Sequence, residues 1–102
     1  MIHIRVREKD NKICEIEIQG HADSAEYGRD LVCAAISSIA FGLCNALDEM
    51  ADMAGFEIDE NRIRIYLTRP DETAEIILRT GLIQFETVAE TQSKYIQIET
   101  EE

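Results

Sequence analysis

The sequence has few basic residues and no glycine-rich phosphate-binding motif. Ten lysines and arginines stand against twenty-one aspartates and glutamates, which gives a formal net charge of −11. A surface this acidic repels phosphate backbones, so direct binding of nucleic acid is not expected. Neither GxGxxG nor GxxxxGK occurs, which argues against a nucleotide cradle of these types. Such a charge favours partners that are themselves basic.

Cysteines are also few. Three is an odd number, too small for a disulfide framework, and the cysteines lack the close pairing that zinc ligands show. Reduced thiols fit a cytoplasmic protein, and we expect neither a metal nor another cofactor. The N-terminus alternates apolar and polar residues instead of showing a positive region followed by an apolar run. No signal peptide is therefore predicted, and no membrane partner is expected.

Length and hydrophobicity predict a single domain over residues 1–102, since 45% apolar residues suffice to build a core. Two alternating runs near the N-terminus predict an antiparallel hairpin. The residues expected to face the core are Ile2, Ile4, Val6, Cys14, Ile16 and Ile18. On the other face, Arg5 and Arg7 are expected to lie opposite Glu15 and Glu17.

Two longer segments have apolar residues at helical spacing. The first follows Asp30, a suitable N-cap, and runs towards Gly55, a suitable terminator. Its apolar residues are numerous enough to predict a helix that is buried over most of its circumference, Phe41 included. The second helix is predicted to have Pro70 in its first turn. Gly81, in its middle, is expected to permit close approach to the first helix.

Two further strands complete the predicted fold, one around Ile63 and Ile65 and one at Ile96 and Ile98. The order ββαβαβ predicts an α+β two-layer sandwich, with a four-stranded sheet and both helices packed on one face. Four short strands leave two exposed edges, so a homodimer would be unsurprising.

Cys33 is the first candidate for chemistry. If Asp30 caps the helix, Cys33 is its third residue, among backbone N–H groups that lack intrahelical partners. The positive end of a helix favours the thiolate that attacks carbonyls, and the N–H of Cys33 is expected to help stabilise an oxyanion. Ser37 follows one turn later on the same face. The plainer interpretation is that Cys33 is a small core residue.

His21 is the second candidate, because it follows a strand end at the start of an irregular loop. A histidine beside Cys33 can deprotonate the thiol and later protonate the leaving amine. Gly20 and Gly28 bracket residues 21–27 and are expected to give this loop hinge freedom. Taken alone, His21 is equally well a surface residue, and the two glycines are equally well ordinary turn residues.

The other two cysteines are predicted to be structural. Cys14 shares a predicted strand face with core isoleucines. Cys44 lies eleven residues after Cys33, about 16 Å further along the same helix. A redox sensor would need a resolving cysteine near Cys33, and none is close in sequence.

Together these residues carry a family resemblance. Gly20-His21-Ala22, followed after five residues by Gly28-Arg29-Asp30-Leu31-Val32-Cys33-Ala34-Ala35-Ile36-Ser37, resembles the signature of the ribosomal-processing cysteine proteases, the Prp family. The resemblance implies a small homodimeric endopeptidase that removes an N-terminal extension from large-subunit ribosomal protein twenty-seven. It further implies that Cys33 and His21 are the catalytic pair and that the site includes an apolar groove. The supporting residues are Gly20, Gly28, Asp30 and Ser37.

A different class of function remains open. A non-catalytic factor could hold a basic ribosomal protein during assembly through its acidic surface. That hypothesis predicts a buried and inert Cys33, whereas the protease hypothesis predicts a reactive one.

Overall fold

The computed structural model describes residues 1–20 and 27–102, with the side chains of the first helix described from Leu31 onward. These residues form five strands and two helices in the order ββαββαβ. The strands are β1 Ile2–Lys9, β2 Lys12–Gln19, β3 Ala54–Asp59, β4 Arg62–Leu67 and β5 Ile96–Glu101, and the helices are α1 Tyr27–Met50 and α2 Glu72–Thr91. The α+β class is confirmed. The expected four strands in the order ββαβαβ are wrong, because β3 was not predicted.

The strands form one mixed sheet in the order β3-β4-β2-β1-β5. The predicted β1–β2 hairpin is confirmed, and β5 pairs with β1 in parallel. β3 escaped prediction because Gly55 was interpreted as the terminator of the first helix, and the alternating run Ala54, Phe56 and Ile58 is short, with its second half exposed. Gly55 lies in β3 under Tyr66, where an added Cβ would lie 2.5 Å from Cε2 of the ring.

Both ends of α1 differ from the prediction. The helix begins at Tyr27, before Asp30, so Asp30 is not its N-cap, and Gly28 lies in its first turn instead of in a loop. At the other end, the N–H groups of Ala51 and Asp52 both donate to the carbonyl of Leu47, at 3.0 and 2.8 Å. Asp52 has a φ of +55°. The chain therefore reverses at Asp52, and Gly55 does not terminate the helix.

α2 begins slightly later than predicted. Asp71 is its N-cap and accepts a hydrogen bond from the N–H of Ala74 at 2.9 Å, so Pro70 precedes the cap. Gly81 lies against α1, and an added Cβ there would lie 2.6 Å from Cδ2 of Leu43. The expected close approach of the two helices at Gly81 is confirmed.

One core lies between the helices and one face of the sheet. Both helices and all strands except β3 supply its fully buried side chains, while Phe56 of β3 packs against it. Its largest members with essentially no exposure are Phe85, Ile2, Ile4, Ile13, Ile16, Ile18, Ile36, Leu47, Ile63, Ile65, Leu78 and Val6. α1 is less buried than predicted, since Phe41 is 45% exposed and Met50 is 66% exposed. By length and composition Leu31–Met50 is also apolar enough to cross a membrane, a property that core helices of soluble proteins share.

The opposite face of the sheet is covered by charged side chains. The predicted pairs are confirmed: Arg5 lies 3.6 Å from Glu17, and Arg7 lies 3.6 Å from Glu15. The pattern continues across the sheet, where Arg62 and Arg64 of β4 pair with Glu17 and Glu15 and also with Glu57 of β3, and Glu101 of β5 pairs with Arg5 and Arg7. We call these eight side chains the ion-pair lattice.

Candidate functional site

Cys33 is the seventh residue of α1 and is half-buried against the core. At this position its N–H belongs to the regular i to i−4 ladder of the helix. The expectation that this N–H is available to an oxyanion is therefore wrong, for the same reason that Asp30 is not the N-cap. Ser37 lies one turn later, on the same side of α1, and is also half-buried.

Cys44 differs from Cys33 in burial. Its side chain is only 9% exposed, and this burial raises the pKa of the Cys44 thiol, with a hydrogen bond to the backbone opposing the shift. A raised pKa keeps the sulfur protonated and therefore poorly nucleophilic. The structural role predicted for Cys44 agrees with this environment.

Cys14 lies in a β-bulge. The register of β1 against β2 shifts between Arg7 and Glu8, so that Glu8 pairs with Ile13 and Arg7 with Glu15. Ile13 takes the core position, while Cys14 is half-buried with its Sγ 3.5 Å from the carbonyl of Arg7. The prediction that Cys14 shares the core face with Ile16 and Ile18 is wrong, because the bulge shifts the alternation by one residue.

Gly20 holds the chain at the end of the sheet where β2 stops. Its φ is +85°, its N–H donates to the carbonyl of Asn61 at 3.2 Å, and an added Cβ would lie 2.6 Å from the carbonyl oxygen of Met1. Both the positive φ and the contact with Met1 therefore exclude a side chain at this position. His21 follows directly and lies outside the described residues, as does the predicted hinge loop as far as residue 26. The side chain of Asp30 is likewise not described.

The two larger of the described depressions lie outside this region. A groove of about 470 Å³ runs between the helices and is lined by Ser38, Ile39, Gly42, Leu43, Ala46, Ile77, Thr80 and Gln84. A cleft of about 570 Å³ lies at the opposite end of the sheet, beside Cys14, Arg69 and Asp71. Within residues 1–20 and 27–102, no group of three His, Cys, Asp or Glu side chains is arranged to hold a metal ion.

The chain matches the family model described as Cysteine protease Prp over residues 1–97. It is 34% identical to the ribosomal processing cysteine protease Prp of Staphylococcus aureus over 94 residues, which covers 87% of this chain and 88% of that protein. It is 30% identical to the Bacillus subtilis protein of the same name, covering 98% of this chain and 97% of the other. The chain belongs to the Prp cysteine protease family.

Solved structures agree with this membership. A crystal structure of the S. aureus Prp protease with a substrate peptide superposes with a TM-score of 0.89 at 28% identity, covering 98% of this chain and 99% of that one. A second structure of the same protein holds a covalently linked product peptide, with a TM-score of 0.84 at 31% identity and the same coverage. The protein is therefore a cysteine protease with the Prp fold.

Sequence reasoning missed one exposed apolar residue on an edge strand of the sheet. Ile58 of β3 is 53% exposed although it lies on the core face of the sheet. Ile58 was missed because β3 was not predicted, and a strand that is not predicted has no faces to assign.

Proposed function

We propose that this chain removes the N-terminal extension of large-subunit ribosomal protein twenty-seven, with Cys33 as nucleophile and His21 as general base. The observation that carries the proposal is the environment of Cys33 in a chain of the Prp family. Its thiol is half-buried on α1. In contrast, the Cys44 thiol is buried and has a raised pKa, and Cys14 lies in a bulge at the end of the sheet opposite Gly20.

In the proposed reaction, His21 accepts the proton of the Cys33 thiol and the sulfur attacks the scissile carbonyl carbon. The tetrahedral intermediate collapses, the C–N bond breaks, and His21 donates the proton to the departing amine. Water then attacks the thioester carbon while His21 takes a proton from it. The C–S bond breaks, the carboxylic acid product leaves, and His21 returns the proton to the sulfur of Cys33. Gly20, fixed at the sheet end, anchors the chain immediately before His21.

The proposal includes the cellular compartment and the oligomeric state of the protein. Reduced thiols and the net charge of −11 fit a cytoplasmic enzyme acting on a basic protein.

We also propose a homodimer, as the family resemblance implies. The exposed apolar side chains Phe41, Ile76 and Ile83 on the helices are consistent with a protein interface. Light scattering at several concentrations measures this directly, and a monomer at all of them would refute it.

The decisive experiment incubates the reduced protein with the ribosomal protein bearing its extension and reads the product mass. Cys33→Ala should abolish cleavage, because no other group supplies the attacking sulfur, while circular dichroism remains that of the parent. Cys14→Ser is the matched control and should retain activity. Cleavage by Cys33→Ala, or no product with the parent enzyme, would contradict the assignment.

A further inference from the structure

The side of α1 that carries Cys33 is turned away from α2. At about 100° per residue, positions nine apart lie on opposite sides of a helix. Cys33 and Ser37 are nine residues before Gly42 and Ala46, which line the groove against α2. α1 packs over β3, whereas α2 packs over β2 and β5. The Cys33 side of α1 therefore faces the β3 edge of the sheet.

Cys33 also lies towards a particular end of β3. It precedes Met50 by seventeen residues, about 26 Å along the helix. Three residues connect Met50 to Ala54, and β3 then runs back for six residues, roughly 20 Å. The thiol consequently lies towards the Asp59 end of β3, the end at which Gly20 bonds to Asn61.

β3 is an edge strand, and among the described residues no strand pairs with its outer side. The outward N–H and C=O groups of an edge strand can pair with another extended chain. Ile58 lies in a row with Ile63, Ile18 and Ile4 on the core face, yet Ile58 is 53% exposed while the other three are at most 1% exposed. Apolar surface and an unpaired edge therefore coincide on the side of the sheet that Cys33 faces.

Resting on the proposed function, we infer that the outer edge of β3 binds the substrate segment as a sixth, added strand and delivers its scissile bond to Cys33. Main-chain hydrogen bonds to β3 hold the segment extended, and an apolar side chain of the substrate packs on Ile58. Asp59 and Glu60 are exposed at the same end, so a basic residue nearby in the substrate gains a favourable charge contact. The occupant is thus an extended peptide that combines apolar and basic residues.

Hydrogen exchange tests this placement. Cys33→Ala protein is mixed with a synthetic peptide spanning the extension and the first residues after the cleavage point. Exchange of amides in Ala54–Asp59 should slow on peptide addition, while those of the other edge strand, Ile96–Glu101, should not change. Protection at β5, or binding without protection at β3, overturns the inference. So does protection of β3 that rises with protein concentration alone, which would assign the edge to a second copy of this chain.

Kinetics supply a second readout with a matched control. Ile58→Asp should lower kcat/KM by about tenfold or more, mainly through KM, because a carboxylate cannot pack an apolar side chain. Met50→Asp changes another exposed apolar residue, at the far end of α1 from Cys33, and should leave kcat/KM unchanged. Equal kinetics of the two variants overturn the inference. If the parent enzyme cleaves the peptide, this failure leaves the proposed function standing, whereas absence of cleavage by the parent refutes the function itself.

Discussion

The two faces of the sheet are stabilised by different forces. The helix-covered face buries isoleucines, Leu78 and Phe85 with essentially no exposure, and its helices meet closely at Gly81. The open face instead pairs four arginines with four glutamates in the ion-pair lattice. Stability should therefore depend mainly on packing on one face and on screened charge on the other.

This difference also bears on function. The lattice neutralises itself, so the excess negative charge of the chain lies outside it, on the helices, the loops and the chain end. The proposed chemistry lies on the covered side, at the half-buried Cys33, and the proposed substrate contact is the exposed Ile58. Phe56, Leu67 and Ile98 on this face are half-buried, whereas Ile58 is 53% exposed.

The largest predicted effect is on the covered face. Phe85→Ala should lower the free energy of unfolding by about 3–5 kcal/mol, because it removes a fully buried ring and leaves a cavity. Tyr66→Ala, which removes a half-exposed ring from the open face, should cost less. Urea denaturation measures both. An equal loss for the two variants would show that the faces do not differ as described.

A smaller effect is expected at the helix contact. Gly81→Ala gains about 1 kcal/mol in helix propensity but forces a methyl group into Leu43, which is 5% exposed and has little room to move. We expect a net loss of about 1 kcal/mol. Gly42→Ala is the control within α1, since an added Cβ there meets nothing within 4 Å, and it should stabilise by about 0.5–1 kcal/mol. Thermal melts of the two variants should move in opposite directions.

Much of this architecture follows from local sequence pattern. Strict alternation in β1 and β2 identified the hairpin and the partners of Arg5 and Arg7, because side chains of a strand alternate between faces. Gly81 was correctly interpreted as a contact point. Prediction from hydrophobic alternation failed in two places. The strand β3 was missed because its alternating run is short, and Cys14 was assigned to the wrong face because the bulge shifts the alternation by one residue and places Ile13 in the core. Sheet order depends on pairing between distant segments, which local periodicity does not encode.

The candidate site was predictable to a similar extent. Helical position singled out Cys33, but the helix start predicted at Asp30 is wrong, because this good N-cap residue lies inside α1. Capping preference is a weak guide when the preceding residues also accept helical geometry. Ile58 could not be predicted from the sequence, because the role proposed for it depends on β3 being an edge strand.

The smallest predicted effect is on the open face. Arg64 hydrogen-bonds to Glu15 at 3.1 Å and to Glu57 at 3.0 Å, and the bond to Glu15 is the main reason that the pKa of Arg64 is raised. Arg64→Met should destabilise the fold by less than Phe85→Ala. A double-mutant cycle with Glu15→Gln should give a favourable coupling free energy between the two side chains. This coupling should shrink as NaCl rises to about 1 M, where the Debye length is roughly 3 Å. A coupling that does not change with salt would mean that packing of the arginine stem, and not its charge, holds the open face together.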